Sequence, residues 1–357
     1  MKARLQRLVE LLPEAGVDLL LVTNLINVRY LTGYTGSNGL ALIGPHNLTF
    51  ITDFRYVEQA AEEVDPSFEP VQAPQDLFEA IAEALGPAEL RLGFEDAHVS
   101  VRGLGRLHEL LPDRAQLVPA GNLVEGLRAV KEPEEIERIR AATMLADGAF
   151  ERVIGDGLVG RTEREVSIAL EQELRIRGAQ RPSFETIVAG AGQGALPHAK
   201  PGDREITAGE FVVIDWGAEL DGYCSDCTRT VAAGEPGEEA RSIYKLVLVA
   251  QKKGVQEVRA GADCREVDRL ARELIDAGGY GEYFGHGLGH GVGLEVHEGP
   301  RLSQRAEGEL RSGNVVTVEP GIYLPGRFGV RIEDLVVVAE NGCEILTSVQ
   351  KELIVAG

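Results

Sequence analysis

The hydrophobic pattern changes character about a third of the way along the chain. The opening "MKARLQRLVELLPEAG" places Leu5, Leu8, Leu11 and Leu12 at helical spacing among charges, which predicts an amphipathic helix. Short apolar runs follow, "VDLLLVTN", "ALIG", "LTFITD" and "LRLGFE", each of strand length and separated by helical stretches. That alternation predicts a small α/β domain. Around "GNLVEGLRAVKEPEEI" longer helical periods take over. Pro133 followed by Glu134 and Glu135 marks a helix start: the missing proline N–H is harmless there, and carboxylates suit the positive end of the helix dipole. We expect the boundary between Glu125 and Lys131, giving domains 1–125 and 126–357.

Beyond the boundary the order of elements repeats. A helix from Pro133 to about Ile154 is followed by one opening at Thr162, with Glu165 completing a capping box, and then by strand-like sequence around Asp215 and Asp226. A second round has a helix from about Pro236 to Val255. The next helix opens at Asp263, with Glu266 at the box position and Gly278 as its stop, and the strands "NVVTVE" and "VRIEDLVVV" follow. Acids recur within the apolar strands at Glu319 and Glu333. Asp215 to Glu319 is 104 residues and Asp226 to Glu333 is 107, so the pattern predicts an α+β domain of two helix-helix-sheet halves related by a pseudo-twofold axis.

The stretch "FVVIDWGAELDGYCSDCTRTV" sets two pairs over each other. Asp221-Gly222 signals a tight hairpin, since a type I′ turn needs positive φ at both central residues. With those two as the loop, Asp215 faces Thr228 and lies diagonal to Asp226. With Leu220-Asp221 as the loop, the two aspartates face each other. Either register puts both on one sheet face. Two carboxylates about 4 Å apart repel by roughly 4 kcal/mol at an effective dielectric of 20, so a buried pair needs a metal, an arginine or a shared proton. Cys224 and Cys227 differ by three and point to opposite faces of a strand, which disfavours joint chelation and redox pairing alike.

"FGHGLGHGVGLEVHEGP" places glycines at 285, 287, 289, 291 and 293 around His286, His290 and His297. This is not a phosphate-binding fingerprint, and the glycines are expected to let the backbone pass close to a site. Glu319 ends its run just before Pro320-Gly321. Glu333 lies two residues after Arg331, so on one continuous strand the guanidinium would orient it. One imidazole with four carboxylates forms a mostly oxygen ligand set suited to manganese, cobalt, iron or zinc, and four negative charges balance two divalent ions.

Bulk composition narrows the partners. The 357 residues carry 57 acidic and 36 basic side chains, a net charge of -21, which opposes nucleic-acid binding. No apolar run reaches membrane-spanning length, and four cysteines fit a reducing cytoplasm.

Four stretches, "LPHAKPGDREITAGEFVVIDWGAELDGYCSDCTRTV", "FGHGLGHGVGLEVHEGP", "VVTVEPGIY" and "VRIEDLVVV", resemble the signature of the M24 metallopeptidases with their pita-bread fold. Within that family they resemble the Xaa-Pro peptidases, aminopeptidase P and prolidase, and "NVRYLTGYTGSNG" with "ITDFRY" resembles the creatinase-like first domain. The resemblance implies that Asp215, Asp226, His290, Glu319 and Glu333 bind two divalent metals, Mn²⁺ or Co²⁺ ahead of Zn²⁺ or Fe²⁺. Asp226 and Glu333 would bridge them around an attacking hydroxide, and Glu319 would also shuttle the proton. It further implies that His198 and His297 steady the scissile carbonyl, that His286 and Arg301 contact the substrate and that Arg331 supports the bridging glutamate. The filled ligand set reads as a peptidase acting on proline-containing peptides, expected as a homodimer. The aminopeptidase P form is slightly preferred, with prolidase restricted to dipeptides as the alternative. Methionine aminopeptidase, a non-enzymatic acidic interaction module and a cysteine-dependent redox enzyme rank lower.

Overall fold

The apolar run Leu19–Val22 becomes an inner strand of a six-stranded sheet. From edge to edge the order is Glu69–Ala73, Asn47–Asp53, Leu40–Gly44, Leu19–Val22, Leu90–Phe94 and Ala115–Pro119. Leu19, Leu21, Leu40, Leu42, Ile51 and Leu92 pack into its core with Ile81 and Leu107. The four inner strands are those the apolar runs predict. The edge strands "EPVQA" and "AQLVP" escape the pattern because they are only partly buried and carry proline, as sheet edges allow. This sheet belongs to a first compact unit ending at Arg128, and a second runs from Ala129 to Gly357; the computed structural model describes residues 2–357.

The second unit is built twice from a long and a short helix followed by sheet. Pro133–Ile154 and Glu163–Ile176 precede the strands Ile187–Gly190, Glu210–Trp216 and Cys227–Ala233; Glu238–Glu257 and Cys264–Ala277 precede Val315–Val318 and Asp334–Ala339. Thr162 Oγ1 accepts from the Glu165 N–H and Asp263 Oδ1 from the Arg265 and Glu266 N–H groups, so both short helices start where the capping signals stand. The first long helix buries Ala146 and Phe150 against Trp216, whose ring stacks on Phe150 at 4.1 Å and donates to the Ala146 carbonyl. The second pair packs around Val247, Ala271, Val316 and Val336.

Two expectations need correction. The helix expected from Pro236 to Val255 runs Glu238–Glu257, capped by Gly237 rather than begun at the proline. The run "VRIEDLVVV" is not one strand. Phe328–Arg331 pairs with Gly321–Leu324 in a hairpin of its own, while Asp334–Ala339 joins the five-stranded sheet. The chain changes sheet at Ile332-Glu333, a step that period-two patterning cannot reveal because both flanks are equally apolar. Among the described residues no helix is long and apolar enough to cross a membrane.

Candidate active site

Asp215 comes from Glu210–Trp216 and Asp226 from the residues leading into the antiparallel Cys227–Ala233. The turn falls on Asp221 and Gly222, with φ of 49° and 77°, and Thr228 stands opposite Asp215. Of the two registers open to the sequence, this is the one with Asp221-Gly222 as the loop. The ladder lapses at Gly217 and Asp226, between the pairs Trp216–Cys227 and Glu219–Cys224: the Gly217 carbonyl accepts from Ser183 N, and the Ser225 N–H donates to the Ala218 carbonyl. A Cβ on Gly217 would lie 2.1 Å from the Ser225 carbonyl oxygen, so this close crossing needs glycine. It leaves both aspartates facing one cavity.

The second half brings its acids to the same place. Glu319 follows Val315–Val318, and its N–H donates to the Leu288 carbonyl at 2.8 Å. Glu333 sits in the break between strands, with its N–H on the Thr228 carbonyl at 3.1 Å; that bond ties the two halves together at the site. Oxygens of Asp215, Asp226 and Glu333 all lie within 4.8 Å of one another. His290 hydrogen-bonds through Nδ1 to the Gly291 carbonyl at 3.1 Å. A carbonyl can only accept, so Nδ1 carries a proton, which leaves Nε2 to hold a second proton against the carboxylates of the metal-free site or to present its lone pair to a bound cation. Nε2 points into the cluster, 3.3 Å from Glu319 Oε1 and 3.6 Å from Asp226 Oδ2.

Arg331 supplies the compensating guanidinium from the hairpin. It donates to Asp215 Oδ2 at 2.6 Å, to Thr228 Oγ1 at 2.8 Å and to the Tyr323 hydroxyl at 2.8 Å. Thr228 Oγ1 passes its own proton to Glu333 Oε2 at 2.8 Å. The expectation that Arg331 directly orients Glu333 is therefore corrected: Arg331 pairs with Asp215 and reaches Glu333 by hydrogen bonds only through Thr228.

The electrostatics describe a site short of positive charge. Burial pushes Asp226 and Glu333 well above the ordinary carboxylate range, and neighbouring carboxylates push the same way. Asp215 is raised too, chiefly by burial, with Arg331 opposing. Burial also works against the charge of Glu319, but the hydrogen bond and charge of His290 outweigh it and hold Glu319 down at about 2. Asp215 Oδ1 and Glu333 Oε1 are buried with no hydrogen-bond partner in the protein. Orphaned carboxylate oxygens beside an imidazole nitrogen fit divalent cations as the missing partners.

A cavity of about 580 Å³ opens over this cluster. His198, Asp215, Asp226, His286, His290, His297, Arg301, Glu319, Arg331 and Glu333, every site residue expected from sequence, line it, together with Phe184, Ile187, Pro197 and Ser303. The His297 ring stands edge-on to His290 at 4.4 Å. Burial and the nearby charges of His290 and Arg301 lower its pKa to about 4, which leaves it neutral at neutral pH. His286 donates from Nδ1 to the Gly287 carbonyl, so its Nε2 accepts from the Tyr323 hydroxyl at 2.9 Å.

Three supporting residues went unread. Thr228 and Thr317 lie two positions from Asp226 and Glu319, and Thr317 Oγ1 sits 3.2 Å from Glu319 Oε1 and accepts from the His290 N–H; the two-residue spacing could have pointed to both. Tyr323 carries no such signal. The glycines behave as expected: a Cβ on Gly289 would meet the Thr317 carbonyl at 2.0 Å and one on Gly291 the Gly299 carbonyl at 2.1 Å. Cys224 packs with Ile139, Tyr223 and Val292, and Cys227 with Trp216 and Val231 in a different core cluster. Both are buried free thiols.

Comparison with known proteins bears on the whole chain. Residues 137–340 match the model of metallopeptidase family M24, and residues 4–130 match the creatinase/prolidase N-terminal domain. An Xaa-Pro dipeptidase of Pyrococcus furiosus is 40% identical over 356 residues, covering 99% of this chain and 100% of its own. Among solved structures, an Xaa-Pro dipeptidase from Bacillus anthracis superposes with a TM-score of 0.96 at 42% identity, covering 99% of both chains. An X-Pro aminopeptidase from Thermotoga maritima superposes with a TM-score of 0.90 at 38% identity, covering 99% of this chain and 100% of its own.

Proposed function

The chain belongs to metallopeptidase family M24, and from that premise we propose that it hydrolyses the peptide bond before proline in Xaa-Pro dipeptides. The observation that carries the dipeptide form is Arg301. It lines the cavity and lies directly across the strand pair from His290, where a guanidinium can take the free carboxylate of a C-terminal proline in a charge-assisted pair. Sequence alone leans slightly toward aminopeptidase P; the names of relatives at 40% and 42% identity favour the dipeptidase.

Asp215, Asp226, His290, Glu319 and Glu333 would hold two divalent ions, with manganese or cobalt the proposed occupants ahead of zinc or iron. Bound there, the ions supply Lewis acidity and lower the pKa of water so that a nucleophile exists at neutral pH. The chain's own groups do the rest. Glu319, held ionised, accepts a proton from the attacking water at a carboxylate oxygen and returns it to the departing proline nitrogen. His297, neutral, donates an N–H toward the carbonyl oxygen as charge develops, with His198 on the same cavity wall. His286 is fixed by Tyr323, which is fixed in turn by Arg331, so the wall beside the ring has a set shape. Phe184, Ile187 and Pro197 provide apolar surface for the substrate side chains.

A panel of Xaa-Pro dipeptides, Xaa-Pro-Yaa tripeptides and longer peptides, assayed with manganese- and cobalt-loaded enzyme, tests this reading. Turnover confined to dipeptides, with KM raised at least tenfold in Arg301→Met, is the expected result. Equal turnover of longer peptides would replace it with the second reading, aminopeptidase P, which the name of the Thermotoga maritima relative favours. We further propose a cytoplasmic homodimer, to be checked by light scattering.

A further inference from the structure

The segment Phe284 to Leu288 carries His286 and leads into His290, yet its alternating glycines give it little stiffness of its own. One ion pair on the neighbouring helix Cys264–Ala277 grips it from behind. Asp268, with no solvent exposure, and Arg272, one turn further on, form a bidentate pair at 2.9 and 2.8 Å. The same guanidinium donates to the Phe284 carbonyl at 2.8 Å and the His286 carbonyl at 2.7 Å, and lies 4.0 Å over the Phe284 ring. Asp268 Oδ1 also accepts from the Leu288 N–H at 2.9 Å. Residues 284, 286 and 288 thus spend three backbone groups on one side of the segment on this pair. The Leu288 carbonyl takes the Glu319 N–H, so the grip reaches a second candidate ligand.

We propose that Asp268 and Arg272 are positioning residues that set His286, His290 and Glu319 in their working geometry. Neither lines the cavity, so the pair acts through the backbone it holds. Charge neutralisation would need only the contact between the two side chains; the further bonds to the 284, 286 and 288 backbone are what tie the pair to the segment, whereas the exposed Arg269–Glu266 pair on the same helix makes none of them. The first half has a counterpart of the same logic. Glu163, buried at the start of its short helix, accepts from the Gly190 and Gly202 N–H groups and from Arg204 Nε at 2.9, 3.1 and 3.0 Å, bracketing the loop that bears His198. A buried carboxylate backed by an arginine therefore holds a cavity-lining segment in each half.

The inference rests on the reading that the cluster binds divalent metal, but its test does not depend on the substrate. Arg272→Lys keeps the charge and loses the fork; Arg272→Ala, supplemented with millimolar guanidinium, restores the fork without the tether. Titration calorimetry with Mn²⁺ alone and amide hydrogen exchange are read on both, with Arg269→Ala as the control. We expect Mn²⁺ affinity to fall about 10–100-fold in both variants, the range typical of lost outer partners to metal ligands. Exchange should rise at 284–290 and not in the Cys264–Ala277 helix, with partial recovery of affinity by guanidinium in Arg272→Ala. Unchanged Mn²⁺ affinity with unchanged exchange at 284–290 would overturn the proposal, as would exchange rising across the whole helix. If wild type binds Mn²⁺ but cleaves no Xaa-Pro peptide, the substrate reading fails while this one stands.

Discussion

Arg331 and Asp215, 116 residues apart, are joined by a 2.6 Å ion pair in the wall of the cavity. Both are almost fully buried, with side-chain exposures of 4% and 13%. Removing one partner of such a pair leaves an uncompensated charge. Arg331→Met is therefore expected to cost the metal-free protein about 3–5 kcal/mol, measured by urea unfolding. Activity of the loaded enzyme should fall about 10–100-fold, because Asp215, and Glu333 through Thr228, lose their orienting donor. A variant as stable as wild type would show that Asp215 takes its compensation elsewhere.

The raised carboxylates make the metal-free protein unusual in its pH response. Asp226 and Glu333 have folded-state values above their ordinary ones, so above the unfolded pKa the native state binds more protons than the unfolded chain. Their cost to stability is full at high pH and is relieved as pH falls through the raised values. Glu319 acts oppositely, but its contribution is lost only below its ordinary pKa, toward about 2. His297 and His286, whose folded-state values lie below the ordinary 6.5, add stability as pH rises through that value, so the test is made above it: chelator-treated protein should melt higher at pH 7.5 than at pH 8.5, and Mn²⁺ should raise the melting temperature more at pH 8.5. A chelated melting temperature that climbs from pH 7.5 to 8.5 contradicts this account of the cluster.

Asp226→Asn separates stability from function. The amide removes a buried charge that burial, Glu333 and Asp215 all oppose, so the metal-free variant should melt no lower than wild type. Mn²⁺ binding, counted by elemental analysis, should drop below two ions per chain, and peptide hydrolysis should fall at least a hundredfold. Full metal content with full activity would remove Asp226 from the ligand set.

Cys224→Ser with Cys227→Ser is expected to retain activity to within a few-fold, since the thiols belong to separate core clusters and burial raises both pKa values. Its cost should appear in stability, about 1–3 kcal/mol and chiefly from position 224, where the hydroxyl is left in apolar surroundings, since Cys227 Sγ already meets Arg229 Nη1 and the Glu333 carbonyl; denaturant midpoints read it. Loss of activity with an unchanged midpoint would return the pair to the chemistry.

Local chemistry was legible wherever it depended on near neighbours. The Asp221-Gly222 turn set the register that faces Thr228 to Asp215, and the caps at Thr162 and Asp263 placed both short helices. The proline-bearing edge strands and the break at Ile332-Glu333 were not legible, because each edge offers only two small or partly buried apolar positions, Val71 with Ala73 and Ala115 with Leu117, and a change of sheet leaves hydrophobicity unaltered.

By itself the sequence determined which residues could serve: a turn that aligns two aspartates, glycines that admit a close backbone, and acids recurring at matched offsets. Only the tertiary structure decided who partners whom. Arg331 pairs with Asp215 rather than Glu333, Thr228 relays between them, and the Asp268–Arg272 pair holds the histidine segment from outside the cavity. The physical reason is range: turns and caps are settled within a few residues. A buried charge, by contrast, must find its counter-charge wherever packing brings one within hydrogen-bond reach, here from more than a hundred residues away.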